Sequence, residues 1–296
     1  MRPARRLAAF LALATAACIA QAADEAPKEA AKPRTYALVS AVGDQFQYVR
    51  RRPSVGSNLE PFRRFNAKVP DGALDAAVLR GLDRTVAAND PGSERVFLIL
   101  NPAEMENVPP ADRERIAIGK VVSALEPLKQ RAGWDRIFVV TPHYRYGEMQ
   151  GLGSKLGGIG VFIQPLERGR VGNLDLDAAL EGLNDPDTVT PDGRPSRSYT
   201  YVAPFFYTKL WVIDPKTLQL IDTEERFDYQ KIHDPMWTAV DVAKNFTPEQ
   251  LAGQVEKFVE RASSRALREA IGVVTVTDPK AVGDPKAAPP AAPGKP

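Results

Sequence analysis

Short apolar, β-branched runs alternate with helical repeats along most of this chain, and that alternation constrains the fold more than any other feature. Tyr36-Ala37-Leu38-Val39-Ser40-Ala41-Val42 reads as a buried strand. Residues 71–88 follow with Leu74, Val78, Leu82 and Val86 at four-residue intervals, a helix with Asp71 as its N-cap. Residues 95–100 form the next apolar strand. A second helix over 111–132 has Ile118, Val121, Leu125 and Leu128 on one face and Gly133 as its stop, and Pro127 inside it predicts a kink. Residues 135–140 read as a third strand. Strands spaced this way by helices favour an α/β fold, with helices packed on a mixed, mostly parallel sheet.

Outside this repeat the signals are local. Gly43-Asp44 is a turn, and residues 45–49 pair back on the first strand as a hairpin. Residues 157–166 add a strand, 175–183 a short helix, and 184–197 an exposed loop. A long aromatic hairpin is expected next, with strands over 199–213 and 218–227 around the turn Asp214-Pro215-Lys216-Thr217. Tyr201, Phe205, Tyr207 and Trp211 share one parity of its first strand; Phe206, Leu210 and Val212 share the other. Both faces must therefore be covered. Thr247-Pro248-Glu249-Gln250 combines an N-cap, a first-turn proline and a capping-box partner. It opens a C-terminal helix striped by Leu251, Val255, Phe258, Val259 and Ala262.

The ends read differently. Arg2, Arg5 and Arg6 precede an apolar run over residues 7–20 that is shorter than the ~20 residues of a membrane span. With the small-residue site Ala20-Gln21-Ala22, this predicts a signal peptide over 1–22 and a periplasmic or secreted protein. The alternative is a lipid anchor at Cys18, although Thr15 stands where Leu is usual. A flexible tether over 23–34, a single α/β domain over 35–277 with a loop-rich insertion near 147–198, and a disordered tail over 278–296 complete the expected organisation. The tail carries six prolines and no aromatic residue.

Charge and cysteine content narrow the function classes. The chain has 39 basic and 37 acidic residues. Its first 22 residues hold three arginines and no acid, so 36 basic residues would remain against 37 acidic ones after cleavage, a net charge of −1. That is no nucleic-acid signal. Arg50-Arg51-Arg52 and Arg63-Arg64 read as solvated strand ends in preference to an anion patch. Cys18 is the single cysteine, so the cleaved chain has no disulfide, thiolate nucleophile or cysteine-ligated metal.

The stretch Val139 to Phe162 is a candidate for chemistry, with six glycines within residues 147–160. Gly153-Ser154-Lys155 lacks the Walker spacing, and Leu156 stands where a dinucleotide fingerprint needs its third glycine. No cofactor is expected. The glycines serve flexibility or positive φ, in a surface loop or a flap. Before them, Thr141-Pro142-His143-Tyr144-Arg145-Tyr146-Gly147-Glu148 follows a strand end, where α/β proteins gather ligands. His143 is the candidate general base, with Glu148 or Asp234 as its partner and Arg145 holding an anion. Packing of Tyr144 and Tyr146 against a core is the competing account. His233 precedes Asp234, and no His-x-x-x-His pair exists, so no metal site is expected. No Gly-x-Ser-x-Gly elbow is present, and Gln45 follows Gly43-Asp44 where an SGNH esterase needs serine. For binding, Tyr144, Arg145, Tyr146, Tyr207 and Trp211 are the candidate contact residues.

The order strand, helix, strand, helix, strand, hairpin over residues 36–229 resembles the small α/β domain of TolB N-terminal-type periplasmic proteins and of envelope assembly lipoproteins. The matching features are the helix-to-strand passage over 124–140 and the hairpin Trp211-Val212-Ile213-Asp214-Pro215-Lys216-Thr217. The segment 147–198 and the C-terminal helix depart from that layout. The resemblance implies a non-catalytic part in envelope assembly and brings no catalytic residue with it. The expectation is a non-enzymatic accessory or binding protein of the bacterial cell envelope, with a protein or glycan partner. The alternative is an envelope hydrolase or transferase using His143.

Overall fold

The computed structural model describes residues 32–51, 62–69, 72–100, 108–145, 151–164, 188–196, 198, 200–239 and 242–274. Within them lie eight strands and three α-helices: β1 (Thr35–Ser40), β2 (Gln45–Arg51), β3 (Phe62–Lys68), α1 (Ala73–Asn89), β4 (Glu94–Ile99), α2 (Pro110–Leu125), β5 (Arg136–Pro142), β6 (Ile159–Gln164), β7 (Tyr201–Ile213), β8 (Leu220–Tyr229) and α3 (Pro248–Val274). The eight strands form one mixed sheet in the order β3-β2-β6-β7-β5-β1-β4, with β8 on β7. The α/β class and the sheet with helices packed on it are as expected from the repeat.

Parallel pairing joins β1 to β4 and β5, and β2 to β6. The remaining pairs are antiparallel. The expected hairpin of β1 with β2 does not form. Both edges of β1 are taken by parallel neighbours that the helices deliver, so β2 pairs with β3 and β6 instead. The parallel pairs of β1 follow from the helical connections, and three of the four antiparallel pairs involve β7.

That strand organises the molecule. One edge of β7 pairs β5 over Thr208–Ile213 and then β6 over Tyr201–Phe206. Its other edge pairs β8. The sheet therefore divides at Tyr207 into a β5-β1-β4 branch and a β6-β2-β3 branch. Parity then sorts β7 as the sequence requires. Phe206, Leu210 and Val212 face a core built with α1 and α3. On the opposite face Trp211 and Ile213 meet α2. Further along that face, Phe205 and Tyr207 meet Leu152 and Leu156. Each of these large side chains contributes roughly 1.5–3 kcal/mol on burial.

The helices begin and end for local reasons. Gly72 caps α1 at φ 64, while Asp71 lies outside the described residues. In the first turn, buried Asp75 accepts hydrogen bonds from Ser40 Oγ at 2.6 Å and Val42 N at 3.3 Å, tying α1 to the end of β1. Burial pushes its carboxyl above the usual range against the pull of those bonds. Pro127 ends α2 rather than kinking it. The helix stops at Leu125 and a 3-10 turn over Lys129–Gly133 follows; Glu126 still holds α dihedrals at φ −52 and ψ −47, but Pro127 has no N–H to continue the ladder. The capping box of α3 forms as read. Gln250 N donates to Thr247 Oγ1 at 3.2 Å, and Thr247 N donates to Gln250 Oε1 at 2.9 Å. Its stripe packs Val255, Phe258, Val259 and Ala262 against the sheet. The helix expected over 175–183 lies outside the described residues.

No helix among the described residues is long and apolar enough to cross a membrane. Cys18 and the expected leader over residues 1–22 lie outside them.

Candidate functional site at the branch point of the sheet

The glycine stretch is an excursion from the sheet whose neck is closed at Tyr207. His143 N donates to Tyr207 O at 2.7 Å, Gly158 N to His143 O at 2.7 Å, and Tyr207 N to Gly158 O at 2.8 Å. Residues 143 and 158 thus meet where β5 hands over to β6. Gly158 sits at φ 76, and a Cβ there would stand 2.8 Å from Tyr144 Cε1. Inside the excursion, Tyr207 Oη donates to Gly153 O at 2.6 Å, and Arg64 Nη2 to Lys155 O at 2.8 Å. Leu152 and Leu156 are buried. Over residues 151–156 the stretch is a plug filling the third apolar cluster, held by its own backbone carbonyls.

His143 lies at this neck, between the apolar cluster under α2 and the one under the plug. Its Nδ1 donates to Glu114 Oε2 at 2.5 Å. Glu114 belongs to α2, and its other oxygen takes the Lys209 ammonium of β7 at 3.1 Å. Lys209 also reaches Glu225 of β8 at 3.0 Å, and Glu225 Oε2 stands 3.7 Å from His143 Nε2. Nε2 itself is buried without a hydrogen-bond partner. The Phe227 ring meets the imidazole edge-on at 5.4 Å. Lys209 covers the Trp211 ring at 4.7 Å, and Trp211 Nε1 donates to Thr141 Oγ1 at 2.9 Å. Four charged or polar side chains from α2, the β5 end, β7 and β8 therefore close into one network.

The electrostatics follow from partial burial. Burial alone would raise the Glu114 carboxyl, but hydrogen bonds from His143 and Lys209 outweigh it and hold the group below its ordinary value. Burial would lower Lys209, and its bonds to Glu225 and Glu114 reverse that, keeping the ammonium charged. Burial likewise pushes the Tyr144 phenol up, against the Arg113 guanidinium that lies 5.0 Å from its ring centroid.

Chemically, a carboxylate on Nδ1 fixes the imidazole so that Nε2 faces away from its orienting partner. That is the arrangement of a general base. Yet His143 is only 1% exposed, so Nε2 meets no solvent-borne substrate in this state. Among the described residues no group of three or more His, Cys, Asp or Glu side chains is placed to hold a metal ion.

No protein-family model and no curated protein sequence matches the chain. Two bacterial proteins are among the solved structures that resemble it. One is a Helicobacter pylori homolog of neuraminyllactose-binding hemagglutinin, at 6% identity and TM-score 0.33, covering 81% of this chain and 83% of that one. The other is a Xanthomonas campestris protein of the DUF330 family, at 10% identity and TM-score 0.29, covering 82% and 86%. Neither is described as a TolB-type protein. Likeness this distant describes a layout of strands and helices and assigns no ligand or activity.

The residues singled out in the sequence fall in different places. His143 is in the network, but the carboxylates it meets are Glu114 and Glu225. Glu148 and Tyr146 lie outside the described residues. Asp234 serves its own turn, accepting from Met236 N at 2.9 Å. His233 stacks edge-on with Trp237 at 5.5 Å, apart from the network. Tyr207 is fully buried, Trp211 and Tyr144 are half-buried, and Arg145 is exposed. Lys209 was findable, as the single charge on the aromatic parity of β7. Glu114 and Glu225 carried no local signal, because both reach His143 only through the tertiary fold.

Proposed function

We propose that this chain is an exported accessory or binding protein of the bacterial cell envelope, without catalytic chemistry of its own. The observation that supports this reading most is the closure of His143. The best-placed base in the sequence spends its Nδ1 on Glu114 and its ring edge on Phe227. In this reading the network binds α2 to the centre of the sheet, and contact with a protein or glycan partner falls to Trp211, Tyr144 and Arg145 around it. Tyr207 acts from inside, by holding the plug. Cell fractionation with intact-mass measurement tests the envelope placement. The expected product lies in the periplasm and begins near Ala23; an uncut chain in the cytosol defeats the proposal.

A second reading, an envelope hydrolase or transferase, is favoured by the unpartnered Nε2. It requires that nitrogen to become accessible. Acylation of imidazoles by diethyl pyrocarbonate, mapped by peptide mass, separates the two. In the accessory reading His143 stays unmodified in the native protein and reacts only after unfolding. Rapid native modification of His143 supports the enzyme instead.

A further inference from the structure

The closed network around His143 is one proton short of charge balance. Glu114 and Glu225 bring two carboxylates, and the Lys209 ammonium is bound to both. His143 donates its Nδ1 proton to Glu114, so a neutral ring leaves the four side chains with a net charge of −1. Its Nε2 is buried without a hydrogen-bond partner, yet it faces Glu225 Oε2 at 3.7 Å. In that state both atoms are acceptors, and two lone pairs oppose each other where little water reaches. A proton on Nε2 turns the opposition into a charge-assisted hydrogen bond and brings the network to neutrality.

The surroundings leave the imidazole as the group that takes this proton. From α2 it is met by Glu114, while Arg113 of the same helix lies over the Tyr144 ring. From β7 comes Lys209, and from β8 come Glu225 and the edge of Phe227. The plug side presents the backbone of Gly158, with Lys155 over the Phe62 ring. Arg145, two residues on, is exposed. Glu114 is held ionised by its two donors, and Lys209 is already charged. Access runs through Glu225, whose side chain is 36% exposed against 1% for His143. Its carboxylate collects a proton from solvent at Oε2, passes it to Nε2, and is a carboxylate again when the bond forms.

We propose that His143 is a proton-operated latch: protonation at Nε2 joins the imidazole to Glu225 and ties β8 to the end of β5. The effect reaches past the network. Phe227, two residues beyond Glu225 in β8, meets Tyr207 at 5.2 Å, and the Tyr207 hydroxyl holds the plug. As pH falls, the latch tightens the strand that backs the plug's anchor. The device goes beyond the accessory reading and does not depend on it. It gives the unpartnered nitrogen a role that needs no substrate.

Imidazole nitrogen NMR on the purified full chain tests the latch between about pH 5 and 8, where histidine ordinarily changes charge. His233→Gln assigns the two rings. His143 is expected to gain its proton at Nε2 within that range, with Nδ1 protonated throughout. Glu225→Gln keeps an acceptor for Lys209 and should lower the proton affinity of His143 by about 5-fold, the Coulomb effect of one charge at this separation in a water-like medium. By linkage, amides over residues 223–227 should be protected from exchange about 5-fold more in the protonated form, after correction for the intrinsic effect of pH. That gain should vanish in Glu225→Gln and in His143→Gln. A His143 ring that keeps one charge state throughout overturns the latch, and so does a midpoint that Glu225→Gln leaves in place. A lowered midpoint without any change in β8 protection overturns it too, because the proton would then bind without closing the strand. None of these outcomes bears on export, which fractionation decides separately.

Discussion

Gly160→Ala is expected to destabilise the protein by about 3 kcal/mol, lowering its thermal midpoint by roughly 6–12 °C. Removing a glycine from a strand ordinarily helps, by roughly 0.5–1 kcal/mol, through the backbone freedom lost on folding. Position 160 reverses the sign. A Cβ there falls well inside contact distance of the Gln47 carbonyl oxygen on β2, and 2.5 Å from Phe205 Cζ on β7. One obstacle is backbone and the other a fully buried ring, so neither can yield as an exposed side chain would. Relief requires β6 to move off β2, and the β6-β2-β3 branch loosens first. Calorimetry or a circular-dichroism melt measures the loss, and faster amide exchange over residues 47–50 locates it. A melt within a degree of wild type would show that β2 and β6 are not packed as described.

Glu114→Ala carries the second large effect, about 2–3 kcal/mol. The change leaves His143 Nδ1 buried without its acceptor and removes one of the two carboxylates holding Lys209. Glu114→Gln keeps an acceptor and is expected to cost about 1 kcal/mol. The pH dependence provides a second readout. The Glu114 carboxyl is held below its ordinary value in the folded protein. The folded state therefore binds its proton less readily than the unfolded state does, and stability rises with pH through that window. The contribution is fully present above the ordinary glutamate value of 4.5 and is lost as pH drops through the lower folded value. Wild type should thus lose stability more steeply than Glu114→Gln below that point, with the two curves converging in acid. Parallel curves would mean that Glu114 is not in the network.

The candidate site shows how local and tertiary information divide. His143 was legible because it ends an apolar strand and is one of two histidines. Its real partners were not legible, because Glu114 is 29 residues away on a helix and Glu225 is 82 residues away on the far side of β7. Aromatic crowding on the hairpin was equally visible, but it could be read as surface or as core. Packing decided it position by position: Tyr207 went inside, under the plug, while Trp211 stayed half-exposed beneath Lys209. The glycines followed the same rule. Their spacing ruled out a phosphate loop, but not that residues 151–156 would fold inward on Leu152 and Leu156.

By itself the sequence determined most of the segments that become strands and helices, which side of each is apolar, and where α3 begins; β3 over Phe62–Lys68 carried no reading, and α2 ends at Leu125, short of the expected 132. Those properties depend on residues within a few positions of one another, through periodicity, capping and the missing proline N–H. Only the tertiary structure decided which strands are neighbours. The strength of a strand's pattern is the same whichever edge it meets, so Gly43-Asp44 signalled a turn without naming a partner for β2. The choice came from β7, a thirteen-residue strand long enough to pair β5 and β6 in succession along one edge. That pairing brought His143, Lys209 and two distant carboxylates to a single point.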